Sequence, residues 1–288
     1  MAEDWARVVY HLDVHYNERQ SARTEGLVQR ALDGQIMLAL EGVRYSAEAI
    51  DVMFNGLMLH VESPFIMGIE DAYTASRCAT LIIRELRKLS EQTVTRDLHI
   101  DDATRILHMF VAMAALDPEV DLHDLGDTNG DLADVALILR ERLTYLDWAD
   151  IDMLARAAFR QKDGLPPRVN LHKVIQAAKL HLSRAFPLLT TEEAMDYALY
   201  TQREKAWVRN IRNVGADGRF SHLELHILVG GGHLWPLPAD YLRVFFPEIT
   251  QQALDAYARH QRGLPSPRLL EMLPGIVAPL YNTGPASV

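Results

Sequence analysis

Apolar and polar positions alternate along residues 7–16. Val8, Tyr10, Leu12, Val14 and Tyr16 fall on one side; Arg7, His11, Asp13 and His15 fall on the other. A period of two with β-branched and aromatic residues predicts a half-buried strand. Leu27, Ala31 and Leu32 are then spaced for one face of a helix within 23–40, interrupted at Asp33-Gly34, with QIMLALEGVRY returning as a strand. Ser46 is placed to cap a helix over AEAIDVMFNGLML, because its hydroxyl can accept a first-turn N–H. LMLHVES (57–63) reads as the end of that helix or as another strand.

After Pro64 the apolar period changes from two to about 3.6 residues, the helical spacing. Tyr73, Cys78, Leu81, Ile82, Leu86 and Leu89 mark a helix over 70–91. Further helices are predicted at 102–116, 131–145, 148–161, 170–186, 191–212, 221–229, 239–246, 249–261 and 266–274. Thr190 and Glu193 have the spacing of a capping box. Gly164, Gly230 and Gly263 stand where helices should stop, and Pro166, Pro187, Pro236, Pro247 and Pro265 mark the joints. LARAAFRQKDGLPPR (154–168) echoes ALDAYARHQRGLPSPR (253–268), but the shared residues are a helix stop signal rather than a sustained repeat.

The expectation is therefore a mainly α fold. A multi-helix globular domain over 65–288, separate from or continuous with what precedes it, follows a small N-terminal α+β element over 1–64. Any sheet is expected to be confined to 7–62.

Composition narrows the function classes. The 288 residues are 49% hydrophobic and 24% charged, with a net charge of −10. That sign repels phosphate backbones, so nucleic-acid binding is disfavoured. The apolar run MFVAMAAL (109–116) is too short to span a bilayer. The single cysteine, Cys78, permits no intrachain disulfide and reads as a buried thiol. MAEDWARVVY carries no secretory pattern, so a cytoplasmic or other reducing compartment is expected.

Little in the chain announces chemistry. HLDVH places His11, Asp13 and His15 on one strand face, successive side chains roughly 6.5–7 Å apart. Two imidazoles and a carboxylate form a ligand set for zinc or non-haem iron. The same residues also suit the polar face of an ordinary strand, and that reading is preferred.

Calcium has two candidate loops. In DPEVDLHDLGDTNGDLAD (117–134) the register starting at Asp127 puts Leu132 where the turn glycine belongs and Ile138 where a bidentate acid is required. His123-Asp124 is a weak metal pair in the same stretch. NVGADGRFSHLE (213–224) fits better, with Asn213, Asp217, Gly218 and Glu224 in register. It lacks an oxygen donor at Gly215, and a turn followed by Ser221 explains it as well. His222 and His226 would share a face if 221–229 were helical. LVGGGHLWPLP (228–238) has glycines for a close backbone approach, but no lysine and no helix start for a phosphate.

The preferred functional expectation is a non-catalytic helical protein acting through protein–protein contacts, such as a self-assembling structural subunit or an adaptor. Its interface would use Leu242, Phe245, Phe246 and Leu269, and its partner would be a protein or a second copy, with no membrane. No cofactor is expected. The alternatives are a metal-dependent enzyme using His11, Asp13 and His15 with zinc, and a calcium-binding protein using Asn213, Asp217 and Glu224.

Overall fold

A computed structural model describes residues 5–13, 18–45, 50–54, 57–71, 74–92, 100–120, 171–230, 233–234, 250–252, 255 and 268–278. The chain divides into two compact units: residues 1–71 with 203–288, and residues 72–202.

The first unit is α/β. Its elements are β1 (Arg7–Asp13), α1 (Glu18–Leu32), β2 (Met37–Arg44), β3 (Ile50–Phe54), β4 (Leu57–Val61) and β5 (Ile66–Glu70). The second unit's helices α2 (Ala75–Gln92), α3 (Ile100–Leu116), α4 (Leu171–Ala185) and α5 (Thr191–Asp196) intervene. Then α6 (Gln202–Gly215), β6 (Glu224–Gly230), α7 (Arg268–Met272) and β7 (Ile276–Val277) complete the first unit. Its main sheet has five strands in the order β5-β2-β6-β1-β7. Every neighbouring pair in that sheet is parallel. β3 and β4 form a separate antiparallel hairpin.

The mainly α, all-α expectation is thus overturned for this unit. The sheet is not confined to 7–62: it takes Ile66–Glu70, Glu224–Gly230 and Ile276–Val277 as strands. The cause is coverage on both faces. One face packs Tyr10, Leu12, Met37, Ala39, Leu225 and Ile227 with Trp207, Val208 and Ile211 of α6 and Leu269 of α7. The other packs Leu38, Leu40 and Ile66 against Leu27, Val28 and Ala31 of α1. A parallel strand buried on both sides loses the polar alternation that marks a half-wet strand, and a short apolar run such as LHILV then mimics a helix. The helix expected after Ser46 is likewise replaced by the β3–β4 hairpin, whose strands carry β-branched Ile50, Val52 and Val61.

The second unit keeps the helical reading. α2, α3 and α4 bury Ile82, Ile83, Leu107, Phe110, Val111, Val174, Ala178 and Leu182 in one core. Thr190 caps α5 with the full box: its side chain accepts from Glu193 N–H, and Glu193 reaches back to the cap. A π-helical turn follows at Tyr197–Thr201. No described helix is long and apolar enough to cross a membrane. The helices expected at 131–145, 148–161 and 239–246 and most of 249–261 lie outside the described residues.

Candidate functional site

In a parallel sheet all strands end on the same edge, and that carboxyl edge is where open α/β sheets place their ligands. In the first unit the edge gathers charged residues from β2, β5, α6 and the segment after β6. The local backbone is built for this. The β2–β5 register shifts between Leu40 and Arg44, a bulge in which Gly42 adopts φ +80°, a conformation that favours glycine. Gly68 lies opposite. A Cβ there would sit 2.2 Å from the Arg44 carbonyl oxygen, so only glycine fits against the bulged strand.

Glu41 projects from the bulge toward α6. Gly230, the last residue of β6, donates its N–H to Glu41 Oε2 at 2.5 Å. Arg203, in the first turn of α6, donates from Nη2 to Glu41 Oε1 at 2.9 Å and from Nε to Glu70 Oε2 at 3.3 Å. Its Nη2 also donates to Glu70 Oε1. Glu70 Oε1 accepts the Gly42 N–H at 3.3 Å, tying the acid back to the bulge. His233 completes the cluster. Its Nδ1 donates to Glu204 Oε1 at 2.9 Å, while its Nε2 lies 3.3 Å from Arg203 Nη1 and 3.4 Å from Glu41 Oε1. Trp207 forms the floor, with the Arg203 guanidinium carbon 4.7 Å above its ring and the His233 ring 4.4 Å away.

Burial makes this cluster strongly coupled. Glu70, Glu204 and His233 are buried, whereas the Glu41 side chain retains 22% exposure and faces outward most. Burial works to raise the Glu41 pKa, but the His233 hydrogen bond, the His233 and Arg203 charges and the Gly230 N–H outweigh it. Glu41 is held well below the ordinary carboxylate range. Burial disfavours the His233 imidazolium, yet hydrogen bonds to Glu204 and Glu41 and the Glu41 charge overcome this and raise its pKa. Arg203 is also raised: burial opposes its charge, but Glu70 and Glu41 outweigh that. Glu41 and His233 thus each favour the charged form of the other, while the Arg203 charge opposes the imidazolium. Glu204 Oε2 and Trp207 Nε1 are buried with no hydrogen-bond partner among the described residues.

No protein family, curated protein or solved structure matches this chain.

The residues expected from sequence are placed differently. His11 is buried, and its Nε2 lies 2.7 Å from His226 Nδ1 of the neighbouring strand, on the α1 side of the sheet. Asp13 ends β1, and His15 lies outside the described residues. Of the proposed calcium ligands, Asn213 is exposed on α6, Asp217 is ion-paired with Arg219, and Glu224 pairs with Arg7 and His226. Among the described residues, no group of three or more His, Cys, Asp or Glu side chains is arranged to hold a metal ion. His222 and His226 lie outside any helix: His226 is buried in β6, and His222 is exposed before it. Leu269 is fully buried in the first unit's core; Leu242, Phe245 and Phe246 lie outside the described residues, as do His123, Asp124, Asp127 and Asp131.

Glu41, Glu70, Arg203 and Glu204 are not among the residues expected from the sequence, and His233 is there only within LVGGGHLWPLP. A signal was present. Glu41 follows IMLAL and Glu70 follows IMGI, each an acid closing an apolar run; LVGGGH places a histidine just beyond another such run. An ionisable residue at the end of a buried strand is a site candidate.

Proposed function

We propose that this chain is an enzyme working by general acid catalysis at the carboxyl edge of its parallel sheet, on a bond that water cleaves. Glu41, the most exposed member, is too weak a base to take a proton and instead orients a water or substrate hydroxyl by accepting its hydrogen bond. His233 behind it supplies the proton from Nε2, with Glu204 fixing the ring through Nδ1. Arg203 neutralises Glu41 and Glu70 and stabilises negative charge developing on the substrate.

The observation that supports this reading is the Glu41–Arg203–His233 contact set at 2.9–3.4 Å, buried at that edge. A buried ion cluster is a poor way to stabilise a fold, since desolvation offsets much of the attraction. A panel of chromogenic ester, phosphoester, glycoside and peptide substrates tests it. One class is expected to turn over, and Glu41→Gln is expected to lower kcat by about 100-fold or more while the fold persists. A folded wild-type protein inert toward the whole panel, or a Glu41→Gln variant of undiminished rate, would overturn the reading.

A second reading, self-association with no catalysis, has one observation in its favour. In the second unit Leu188 is 95% exposed and Leu180 51% exposed. Sedimentation of the wild type and Leu188→Ser tests it: a concentration-dependent dimer lost in the variant is expected, and a monomer at all concentrations speaks against it.

A further inference from the structure

The second unit holds a separate chain of polar side chains, built from three helices. Asp117 follows the end of α3, its N–H donating to Met113 O at 2.9 Å. Its Oδ1 accepts the Glu119 N–H at 3.0 Å, which turns Oδ2 toward α4. There Oδ2 lies 2.5 Å from His181 Nδ1. A nitrogen that close to a carboxylate carries the proton, so His181 Nδ1–H donates and Nε2 is left as the acceptor. Ser76 Oγ sits 3.0 Å from that Nε2.

The serine is held in place as firmly as the histidine. It is the second residue of α2, where Thr74 Oγ1 accepts the Arg77 N–H at 3.2 Å and Thr80 Oγ1 donates to Ser76 O at 2.9 Å. Ser76 and His181 are 8% and 9% exposed, dry enough to strengthen each hydrogen bond. Asp117 and His181 line a cavity of about 370 Å³, and Ser76 is linked to it through its contact with His181 Nε2. Its wall is mixed, with Phe110 and Leu180 beside the charged Glu119, Lys173 and Arg184.

We propose that the second unit carries a nucleophilic serine site in which Asp117 orients His181 and His181 activates Ser76 toward carboxylic esters. Carboxylate, imidazole and hydroxyl in this order are the arrangement that converts a weak hydroxyl into a nucleophile. Ser76 Oγ bonds to the acyl carbon while its proton passes to His181 Nε2. The C–O bond to the leaving alcohol then breaks and that proton goes to the departing oxygen. Water, deprotonated by the same nitrogen, hydrolyses the acyl-serine and restores the hydroxyl. The site shares no residue with the Glu41 cluster and stands or falls independently of it.

An alkyl fluorophosphonate tests this on the full chain. The Oγ–P bond forms, P–F breaks, fluoride departs and the serine proton goes to His181. Peptide mass spectrometry is expected to show one adduct, on Ser76, missing in Ser76→Ala. Asp117→Asn is expected to slow labelling roughly 100-fold with the thermal midpoint monitored alongside, the loss appropriate to an acid–base partner. No adduct on folded wild-type protein, an adduct on another residue, or equal labelling of a folded Asp117→Asn variant overturns the proposal. Should Asp117→Asn unfold, the position of the wild-type adduct decides alone.

Discussion

His11 Nε2 and His226 Nδ1 face each other at 2.7 Å, their rings 4.9 Å apart and inclined by 15°. One of the two nitrogens donates and the other accepts, so this contact cannot hold a proton on both. His226 Nε2 lies 3.2 Å from Glu224 Oε2, which makes a relay from the exposed strand start into the buried sheet. The pair places His11 of β1 against the neighbouring strand β6.

This relay predicts a pH effect. Burial lowers the His226 pKa below its ordinary 6.5, outweighing the Glu224 hydrogen bond that favours the charge. The unfolded chain then binds more protons than the folded one as pH falls through 6.5. Stability linked to His226 is present above that pH and lost below it. The thermal midpoint of the wild type should fall between pH 6.5 and 5 more steeply than that of His226→Gln. Parallel profiles for the two proteins would contradict the assignment.

His233 carries the opposite sign. Its folded pKa is raised by Glu204 and Glu41 against the effect of burial, so its contribution is complete below 6.5 and lost as pH rises through the higher folded value. The deficit of His233→Asn relative to wild type should therefore be largest at pH 6 and shrink toward alkaline pH. Chemical denaturation at a series of pH values measures that difference; a deficit growing with pH would show that the imidazolium is not the stabilised form.

Arg203 and Glu70 should behave as one unit. Arg203→Met leaves Glu41 and Glu70 facing each other without their shared cation, an expected cost of about 3–5 kcal/mol. Adding Glu70→Gln should recover part of it. A double-mutant cycle by urea unfolding reads the coupling, and additivity within about 0.5 kcal/mol would show the contact to be energetically idle.

Two glycines beside the bulge should differ in cost. A Cβ on Gly68 meets the Arg44 and Val43 carbonyl oxygens at 2.2 and 2.5 Å, and backbone cannot swing aside as a side chain can. Gly68→Ala should cost roughly 3 kcal/mol or more, in the range of severe overpacking. Gly42→Ala has open space and only its φ of +80° to oppose it, so about 1–2 kcal/mol is expected. Unfolding midpoints in the reverse order would place the bulge elsewhere.

Cys78 should be chemically silent. It is wholly buried in the second unit, and burial pushes its thiol up to about 12, with Arg77 opposing only in part. A thiol-specific chromogenic reagent should react only on the unfolding timescale. Fast stoichiometric reaction of native protein would refute the burial.

The sequence by itself determined the local elements whose patterns are self-contained. β1 followed from period two, α2, α3 and α4 from their apolar stripes, and the start of α5 from Thr190 and Glu193, because caps and amphipathic faces act within one or two turns. Tertiary structure decided what needed coverage or distant partners. LHILV is a strand because β1 and β2 flank it and helices cover the sheet on both faces, an environment no window of the chain reveals. The same holds for the charged cluster. Glu41, Glu70, Arg203 and His233 are spread across much of the chain and form no local motif. Parallel pairing is what sends the ends of β2, β5 and β6 to one edge, and burial there is what turns ordinary side chains into a coupled acid–base set. Ser76, Asp117 and His181 likewise meet only because three helices pack their apolar faces together.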